Sequence, residues 1–155
     1  MGPAGSGKTT VGELLASQLG WEFADGDSFH SPANIEKMSR GVPLDDHDRI
    51  PWLDAIHQAM EQWSAQRRNV VLACSALKKN YRERLQINSS VKLVYLKGTY
   101  DLLRQRLLAR KGHYATEQIL TSQFADLEEP ADAITIDVAR SPEEIVLEIR
   151  KQLAL

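Results

Sequence analysis

The sequence predicts an α/β protein built on a parallel β-sheet. Short apolar runs of strand length alternate with helical patterns along the chain, and a helical segment joins each run to the next. In addition, residues 2–9 read Gly-Pro-Ala-Gly-Ser-Gly-Lys-Thr and match the phosphate-binding P-loop pattern, which connects a buried strand to a helix. Together these observations favour parallel strands covered by helices.

The composition is that of one soluble globular domain, which we place at residues 1–155. Apolar residues make up 43% and charged residues 26% of the chain, and the formal net charge is -2. Nothing in this balance predicts binding to nucleic acid, and the apolar runs are far shorter than the ~20 residues that cross a bilayer. Cys74 is the single cysteine, which excludes an internal disulfide and fits a reducing compartment. We therefore expect a cytoplasmic protein without a nucleic-acid or membrane partner.

The first half of the chain contains three predicted helices and one strand. A helix over Thr10–Leu19 carries its leucines on one face and stops at Gly20. Trp21–Ala24 is a short strand. Ser31-Pro32 opens a short helix that ends before Gly41. After a polar loop over residues 42–48, a longer helix carries a stripe that we expect in the core: Trp52, Ile56, Met60 and Trp63.

The second half alternates strands and helices around one polar segment. The strands are predicted at Val70–Ala73, Val91–Leu96 and Ala133–Val138. The helices are predicted at Ala76–Leu85, at Tyr100–Arg110 and from the capping box Ser141-Pro142-Glu143-Glu144 onward. Residues 111–129 are polar, partly helical and without a continuous apolar face. We predict that they form a mobile lid.

The predicted sheet lacks one strand. A P-loop normally follows a buried strand that orients it, and only Met1 precedes Gly2 in this sequence. We therefore expect a short run of Val, Ile or Leu upstream of Met1, which would bring the visible strands from four to five. A buried strand with about four large apolar side chains contributes on the order of 6–12 kcal/mol. We expect the 155-residue form to be unstable, prone to aggregation or poorly active.

The P-loop predicts that the chain binds a nucleoside triphosphate. Its backbone N–H groups converge on phosphate oxygens, Lys8 reaches the terminal phosphates, and the Thr9 hydroxyl holds Mg²⁺. The following helix adds its positive N-terminal end. The predicted nucleotide-binding residues are Gly2, Pro3, Ala4, Gly5, Ser6, Gly7, Lys8, Thr9 and Thr10, and Lys8 is also a predicted catalytic residue.

Asp27 is the candidate for handling the acceptor hydroxyl. Asp25-Gly26-Asp27 follows a predicted strand at its carboxyl end, where ligands bind in open α/β sheets. Asp27 could accept the hydroxyl proton, orient that hydroxyl, or contact Mg²⁺ through water. The alternative is a turn aspartate that only caps loop amides.

Cations needed for phosphoryl transfer are grouped in three places. Arg49 follows three aspartates, and its alternative role is a salt bridge to Asp45, Asp46 or Asp48. Lys78 lies at the start of the basic helix. Arg106 and Arg110 lie four residues apart before the lid and suit ATP phosphates. We take Arg110 as a catalytic candidate and expect at least one of this pair to be structural. His30 and His113 are candidates for contact with substrate.

Several runs of this sequence together resemble the gluconokinase family. The resemblance covers nearly the whole chain in order, and its most specific parts are the cysteine-to-arginine run 74–82 and the run 43–53. The runs are Gly2 to Thr9, Asp25-Gly26-Asp27-Ser28-Phe29-His30, Asn34-Ile35-Glu36-Lys37-Met38, Pro43-Leu44-Asp45-Asp46-His47-Asp48-Arg49-Ile50-Pro51-Trp52-Leu53, Cys74-Ser75-Ala76-Leu77-Lys78-Lys79-Asn80-Tyr81-Arg82, Arg110-Lys111-Gly112-His113-Tyr114 and Gln123-Phe124-Ala125-Asp126-Leu127-Glu128-Glu129-Pro130.

The resemblance implies ATP-dependent phosphorylation of D-gluconate to 6-phospho-D-gluconate, with ATP and Mg²⁺ as cofactors. It implies a three-layer P-loop kinase fold similar to shikimate and nucleoside-monophosphate kinases, with a substrate segment at about 28–52, a lid at about 111–129, and an assembly that is often a homodimer. The substrate carboxylate then suits the bidentate fork of Arg49, with Lys37 and Lys78 as secondary candidates.

Three other functions stay open on the sequence. The chain could phosphorylate another small acid such as shikimate, which the segment between Ser28 and Trp52 would decide. It could be a GTPase-type switch, although we find no Asn-Lys-x-Asp run to bind guanine. It could also be a truncated fragment that binds nucleotide without turnover.

Overall fold

The computed structural model describes residues 1–111 and 114–155 of the chain. Within those residues the helices are α1 (Lys8–Leu19), α2 (Pro32–Ser39), α3 (Asp46–Ala65), α4 (Lys79–Leu85), α5 (Tyr100–Lys111), α6 (Tyr114–Asp126) and α7 (Pro142–Leu153). The strands are β1 (Glu22–Asp25), β2 (Val70–Ala73), β3 (Val94–Lys97) and β4 (Ile134–Asp137), and a 3₁₀ turn covers Gly26–Phe29. None of these helices is both long and apolar enough to cross a membrane.

The four strands form two parallel pairs. Strand β1 pairs with β2, with Glu22 opposite Val70, and β3 pairs with β4, with Val94 opposite Ile134. The two pairs are not hydrogen-bonded to each other as strands in the described structure. The predicted α/β class with parallel strands is thus confirmed.

Met1 lies between the two pairs. The Leu96 N–H donates to the Met1 carbonyl at 2.9 Å, and the Gly2 N–H donates to the Ser75 carbonyl at 3.2 Å. Beside Met1, an apolar slot of about 500 Å³ separates β2 from β3. Met1 therefore leads into the P-loop from between β2 and β3.

Apolar side chains form a core on each face of the sheet. On one face α1 and α7 pack on the strands, with Val11, Ile136 and Val146 among the buried residues. On the other face α3 and α4 enclose a cluster that contains Trp52 and Ile56, and Met60 packs against it. The predicted stripe of α3 is thus core for these three residues, whereas Trp63 is half-buried outside the cluster. The alternation of β2 joins the two layers, because Val71 packs on the first cluster and Leu72 on the second.

Two predicted boundaries are wrong for local reasons. Helix α4 begins at Lys79 rather than at Ala76, because Ala76 has a left-handed φ of 44° that a helix cannot continue through. Strand β3 begins at Val94 rather than at Val91. The Val91 N–H donates to the Asn88 carbonyl and the Val91 carbonyl accepts from the Gln86 side chain, so neither group is available to a strand partner.

The predicted lid contains a regular helix that is anchored in the core. In α6, Leu120 is completely buried in the same cluster as Leu103 of α5. The Phe124 ring packs edge-on against Tyr100 at 5.4 Å between centroids. This differs from the expected absence of an apolar face, because two side chains one turn apart suffice to hold the helix. Residues 112–113 of the predicted lid lie outside the described residues.

Candidate active site

The P-loop backbone adopts conformations that glycine favours. Gly7 is the N-cap of α1 with a φ of 87°, and Gly5 has a φ of 78°. A Cβ atom on Gly5 would lie only 3.0 Å from the Leu103 carbonyl oxygen and from Leu107 Cγ. Larger residues at these positions would be strained, so the glycines let the loop turn into the start of α1, where a helix N-terminus attracts an anion.

Lys8 is held against the loop that it belongs to. Its Nζ donates to the Pro3 carbonyl at 2.9 Å. Burial lowers the pKa of Lys8, while the nearby charges of Asp27, Cys74 and Asp25 act in the opposite direction. The ammonium group therefore lies where an additional negative charge would stabilise it.

Asp27 is presented by the 3₁₀ turn that follows β1. The Asp27 N–H donates to Oδ1 of Asp25 at 2.9 Å, so Asp25 caps the turn. The Trp52 Nε1–H donates to the Gly26 carbonyl at 2.7 Å and fixes the turn from the side of α3. His30 stacks on the Trp52 ring at 4.5 Å, and burial lowers the pKa of His30 below its usual value.

One cavity of about 960 Å³ is lined by five predicted site residues, namely Ala4 of the P-loop together with Lys8, Asp27, His30 and Arg49. The rest of its lining comes from the segment after His30, from the end of β2, and from α5 and α6. Those residues are Ile35, Met38, Ser39, Pro43, Leu44, Trp52, Ser75, Leu107, Ile119, Ser122 and Gln123. Two cations, Lys8 and Arg49, and the carboxylate of Asp27 line this cavity, which suits a small anion that also carries hydroxyl groups.

Arg49 belongs to a buried polar cluster, which we term the Arg49 cluster. The side chain of Arg49 is 9% exposed, and its Nη1 donates to Asp126 Oδ2 at 2.7 Å and to the Tyr81 hydroxyl at 3.1 Å. Lys78 donates to Asp46 at 2.8 Å, and the Tyr81 hydroxyl also donates to Asp46. The salt bridge of Arg49 is therefore with Asp126 of α6, not with the three aspartates that precede Arg49.

Helix α6 also contacts the P-loop. The Ala4 N–H donates to Oε1 of Gln123 at 2.6 Å. Gln123 lies on the same helix as Asp126, less than one turn earlier. A single helix thus contacts both the phosphate-binding loop and the Arg49 cluster.

Comparisons with known proteins show the family of this chain. The family described as shikimate kinase matches residues 4–154. A probable gluconokinase of Mus musculus is 44% identical, with 99% of this chain and 95% of that protein covered. The thermoresistant gluconokinase of Escherichia coli is also 44% identical, with 94% and 86% covered. This chain belongs to the gluconokinase family. A crystal structure of a gluconokinase from Sinorhizobium meliloti is 42% identical, covers 99% of this chain and 89% of that one, and superposes with a TM-score of 0.88.

Among the described residues, the other predicted cationic candidates of this gluconokinase-family chain are not part of the cavity lining. Lys37 forms a salt bridge with Asp48 at 2.8 Å. Lys78 binds Asp46 in the Arg49 cluster. Arg106 donates to the Val138 carbonyl at 2.6 Å, which is the structural role expected for one of the two α5 arginines. Arg110 is exposed in the last turn of α5. His113 lies outside the described residues.

Sequence reasoning did not single out Tyr81, Gln123 and Asp126. All three lie inside runs that resemble the gluconokinase family, which was the available signal. Their side chains have no motif of their own, and glutamine and aspartate are mostly exposed in proteins while tyrosine is intermediate. Only the fold reveals that they contact Arg49 and the P-loop.

Proposed function

We propose that this member of the gluconokinase family transfers the terminal phosphoryl group of ATP to the 6-hydroxyl of D-gluconate, giving 6-phospho-D-gluconate. The observation that carries the proposal is the cavity shared by Lys8, Asp27 and Arg49. Relatives named as gluconokinases, at 40–45% identity, support the same substrate. A P-loop lysine, a carboxylate and a buried arginine are the groups that phosphorylation of an acidic polyol requires.

The P-loop fits the phosphates of ATP. The Ala4 N–H already binds a side-chain oxygen, and among the described residues the buried Ser6 hydroxyl has no hydrogen-bond partner. Residues from Gly2 to Thr10 therefore surround a place suited to oxygen ligands. ATP supplies the phosphoryl group when it is bound there, and Lys8 balances its negative charge.

Mg²⁺ fits the same end of the cavity. Thr9 is exposed at the start of α1 and Asp27 lines the cavity beside Lys8. The described residues contain no cluster of three or more His, Cys, Asp or Glu side chains that could enclose a metal. This suits Mg²⁺, which keeps several waters and uses one or two protein ligands beside the phosphates. Thr9 would hold it directly and Asp27 through water.

Asp27 and Arg49 contact opposite ends of gluconate. Asp27 orients the 6-hydroxyl and takes its proton, while the hydroxyl oxygen forms the new bond to phosphorus and the bond to ADP breaks. Arg49 binds the carboxylate at the other end with its planar fork. His30 and Ser75 line the cavity and are available to the remaining hydroxyls, with Lys37 and Lys78 as outer cations.

The remaining parts of the proposal concern the chain as a whole. Residues 1–155 act as one domain, in which about 28–52 bind substrate and about 111–129 form the lid. Arg110 is the catalytic member of the α5 pair and contacts nucleotide, while Arg106, the other nucleotide-binding candidate, keeps its structural contact with the Val138 carbonyl. His113 contacts substrate. The enzyme works in the cytosol and forms a homodimer. Light scattering of the purified protein tests the dimer, since a monomer mass would contradict it.

A coupled assay of ADP release tests the function. We expect gluconate to stimulate ADP release from Mg-ATP, and we expect Lys8→Ala to lower kcat by ~10²-fold or more, because a preorganised charge is lost. Asp27→Asn should lower kcat with little change in the KM for ATP, whereas Arg49→Lys should raise the KM for gluconate. Absence of gluconate-dependent ADP release would contradict the proposal.

Shikimate is the second candidate substrate, because the family described as shikimate kinase matches almost the whole chain. Shikimate is also a small carboxylate with hydroxyl groups, so Arg49 and Asp27 would have the same roles. Including shikimate in the assay separates the two candidates. Turnover of shikimate without turnover of gluconate would replace the proposed function.

A further inference from the structure

The Arg49 guanidinium is anchored along one edge only. Both N–H groups of Nη1 are used, one by Asp126 and one by the Tyr81 hydroxyl. A guanidinium has five N–H donors in a rigid plane, so three remain, on Nε and Nη2. Among the residues that the structure describes, none accepts a hydrogen bond from these three donors. They form the fork that binds a carboxylate through two parallel hydrogen bonds.

The anchoring partners come from two different elements. Tyr81 lies on α4 and is 4% exposed, and Asp126 lies at the end of α6 with 24% of its side chain exposed. The ring of Tyr81 also lies beneath the Arg49 guanidinium, with Cζ 5.6 Å from the ring centroid. These contacts fix both the rotation and the plane of the guanidinium.

We propose that Asp126 is a positioning residue for recognition of the substrate carboxylate. It holds the Nη1 edge of Arg49, together with Tyr81, so that the Nε–Nη2 edge is left for the acid group of the substrate. Asp126 does not itself contact the substrate. The inference rests on the proposed function, because it assigns the carboxylate of gluconate to Arg49.

The same contact gives Asp126 a second effect. Asp126 belongs to the helix whose Gln123 binds the P-loop, so α6 must be seated for Arg49 to be oriented. A substrate carboxylate bound to the free edge of Arg49 leaves the Asp126 contact in place. Binding of the acid is therefore compatible with the seated position of α6.

Steady-state kinetics of Asp126→Asn test the proposal. The asparagine keeps the shape but loses the charge, so the guanidinium is held less firmly. We expect the KM for gluconate to rise by about tenfold or more, because a hydrogen bond to a charged group is weakened, while the KM for ATP changes less than twofold. Asp126→Glu should recover part of the loss. Tyr81→Phe should raise the KM for gluconate in the same direction by a smaller factor.

Asp132→Asn is the matched control, because Asp132 is an exposed aspartate in the loop before β4. It should leave both KM values unchanged. Unchanged or lower KM for gluconate in Asp126→Asn overturns the proposal, and a lower value would mean that Asp126 competes with the substrate. If the variant has a lower kcat, higher KM values for both substrates and a lower melting temperature, Asp126 has a structural role only. Failure of the wild-type protein to use gluconate would overturn the proposed function instead.

Discussion

Lys8 carries its charge in surroundings that do not favour an ammonium group. It is partly enclosed by the loop, and the carbonyl of Pro3 is its direct partner. Three acidic groups near it only partly offset the burial that lowers its pKa. Phosphate oxygens would reverse this balance, because two or more negative charges would then lie beside the ammonium.

Nucleotide binding should therefore weaken as the pH rises through the lowered pKa of Lys8. A bound phosphate stabilises the protonated form, so the pKa of Lys8 rises on binding and protons are taken up where the free enzyme has lost them. Affinity for Mg-ATP should be highest while Lys8 is protonated. As the pH rises, the affinity should begin to fall before the pH reaches the ordinary lysine pKa of about 10.4. Calorimetric titration between pH 7 and pH 10 measures this slope.

Lys8→Arg provides the comparison, since a guanidinium stays charged over the same range. The arginine variant should bind more weakly at neutral pH and show no loss as the pH rises. Parallel pH slopes in the two proteins would mean that another group causes the dependence.

Local sequence patterns predict the P-loop and Asp27 but not the partner of Arg49. The P-loop residues and Asp27 could be assigned because each belongs to a local pattern, a glycine-rich loop or a turn after a strand. Arg49 could be selected as a fork for a carboxylate, but its partner Asp126 lies 77 residues away in sequence. A contact at that separation follows from the packing of α3, α4 and α6, which no local spacing records.

Helix α6 closes one side of the cavity. Its Ile119, Ser122 and Gln123 line one side of the cavity, while Leu120 holds the helix in the core. A helix with one buried leucine and mostly polar neighbours gives a weak periodic signal, so the sequence predicted a loose segment. The fold supplies the missing information, because α5 packs along α6 and covers Leu120.

A negative charge at Gln123 should impair nucleotide binding specifically. In Gln123→Glu a carboxylate would lie at the Ala4 N–H, where it would repel the phosphates of ATP. We expect the KM for ATP to rise by about tenfold or more, with a smaller effect on gluconate. Gln118→Glu places the same charge on an exposed position of α6 and should be nearly silent. Equal effects of the two variants on ATP would exclude a specific role of Gln123.

For the whole molecule, the slot between β2 and β3 is the main departure from a continuous sheet. Helix order, strand direction and the two cores all followed from alternating patterns in the sequence. The division of the sheet into two strand pairs is seen only in the structure. What the sequence did not predict is that the two pairs keep their places, with Met1 alone bonded across to β3 and Gly2 to Ser75.

A variant extended at Met1 by a strand-forming segment should be markedly more stable. Four large apolar residues in the slot would contribute on the order of 6–12 kcal/mol of transfer free energy, and the ordering of about five residues would offset roughly 5–10 kcal/mol of it. Backbone hydrogen bonds to both neighbours would add to the balance. We expect a rise in melting temperature of at least several degrees. An extension of equal length made of Gly and Ser is the control, and equal melting of the two forms would exclude filling of the slot.

The two contacts of α6, with Ala4 and with Arg49, have a thermodynamic consequence. Any ligand that shifts the balance between seated and displaced positions of this helix alters the affinity of the opposite end of the cavity. Equilibrium linkage requires the effect to be reciprocal, so the factor by which gluconate changes the dissociation constant of ATP equals the factor by which ATP changes that of gluconate. One structural element therefore couples the two ends of the cavity by a single factor, whichever substrate binds first.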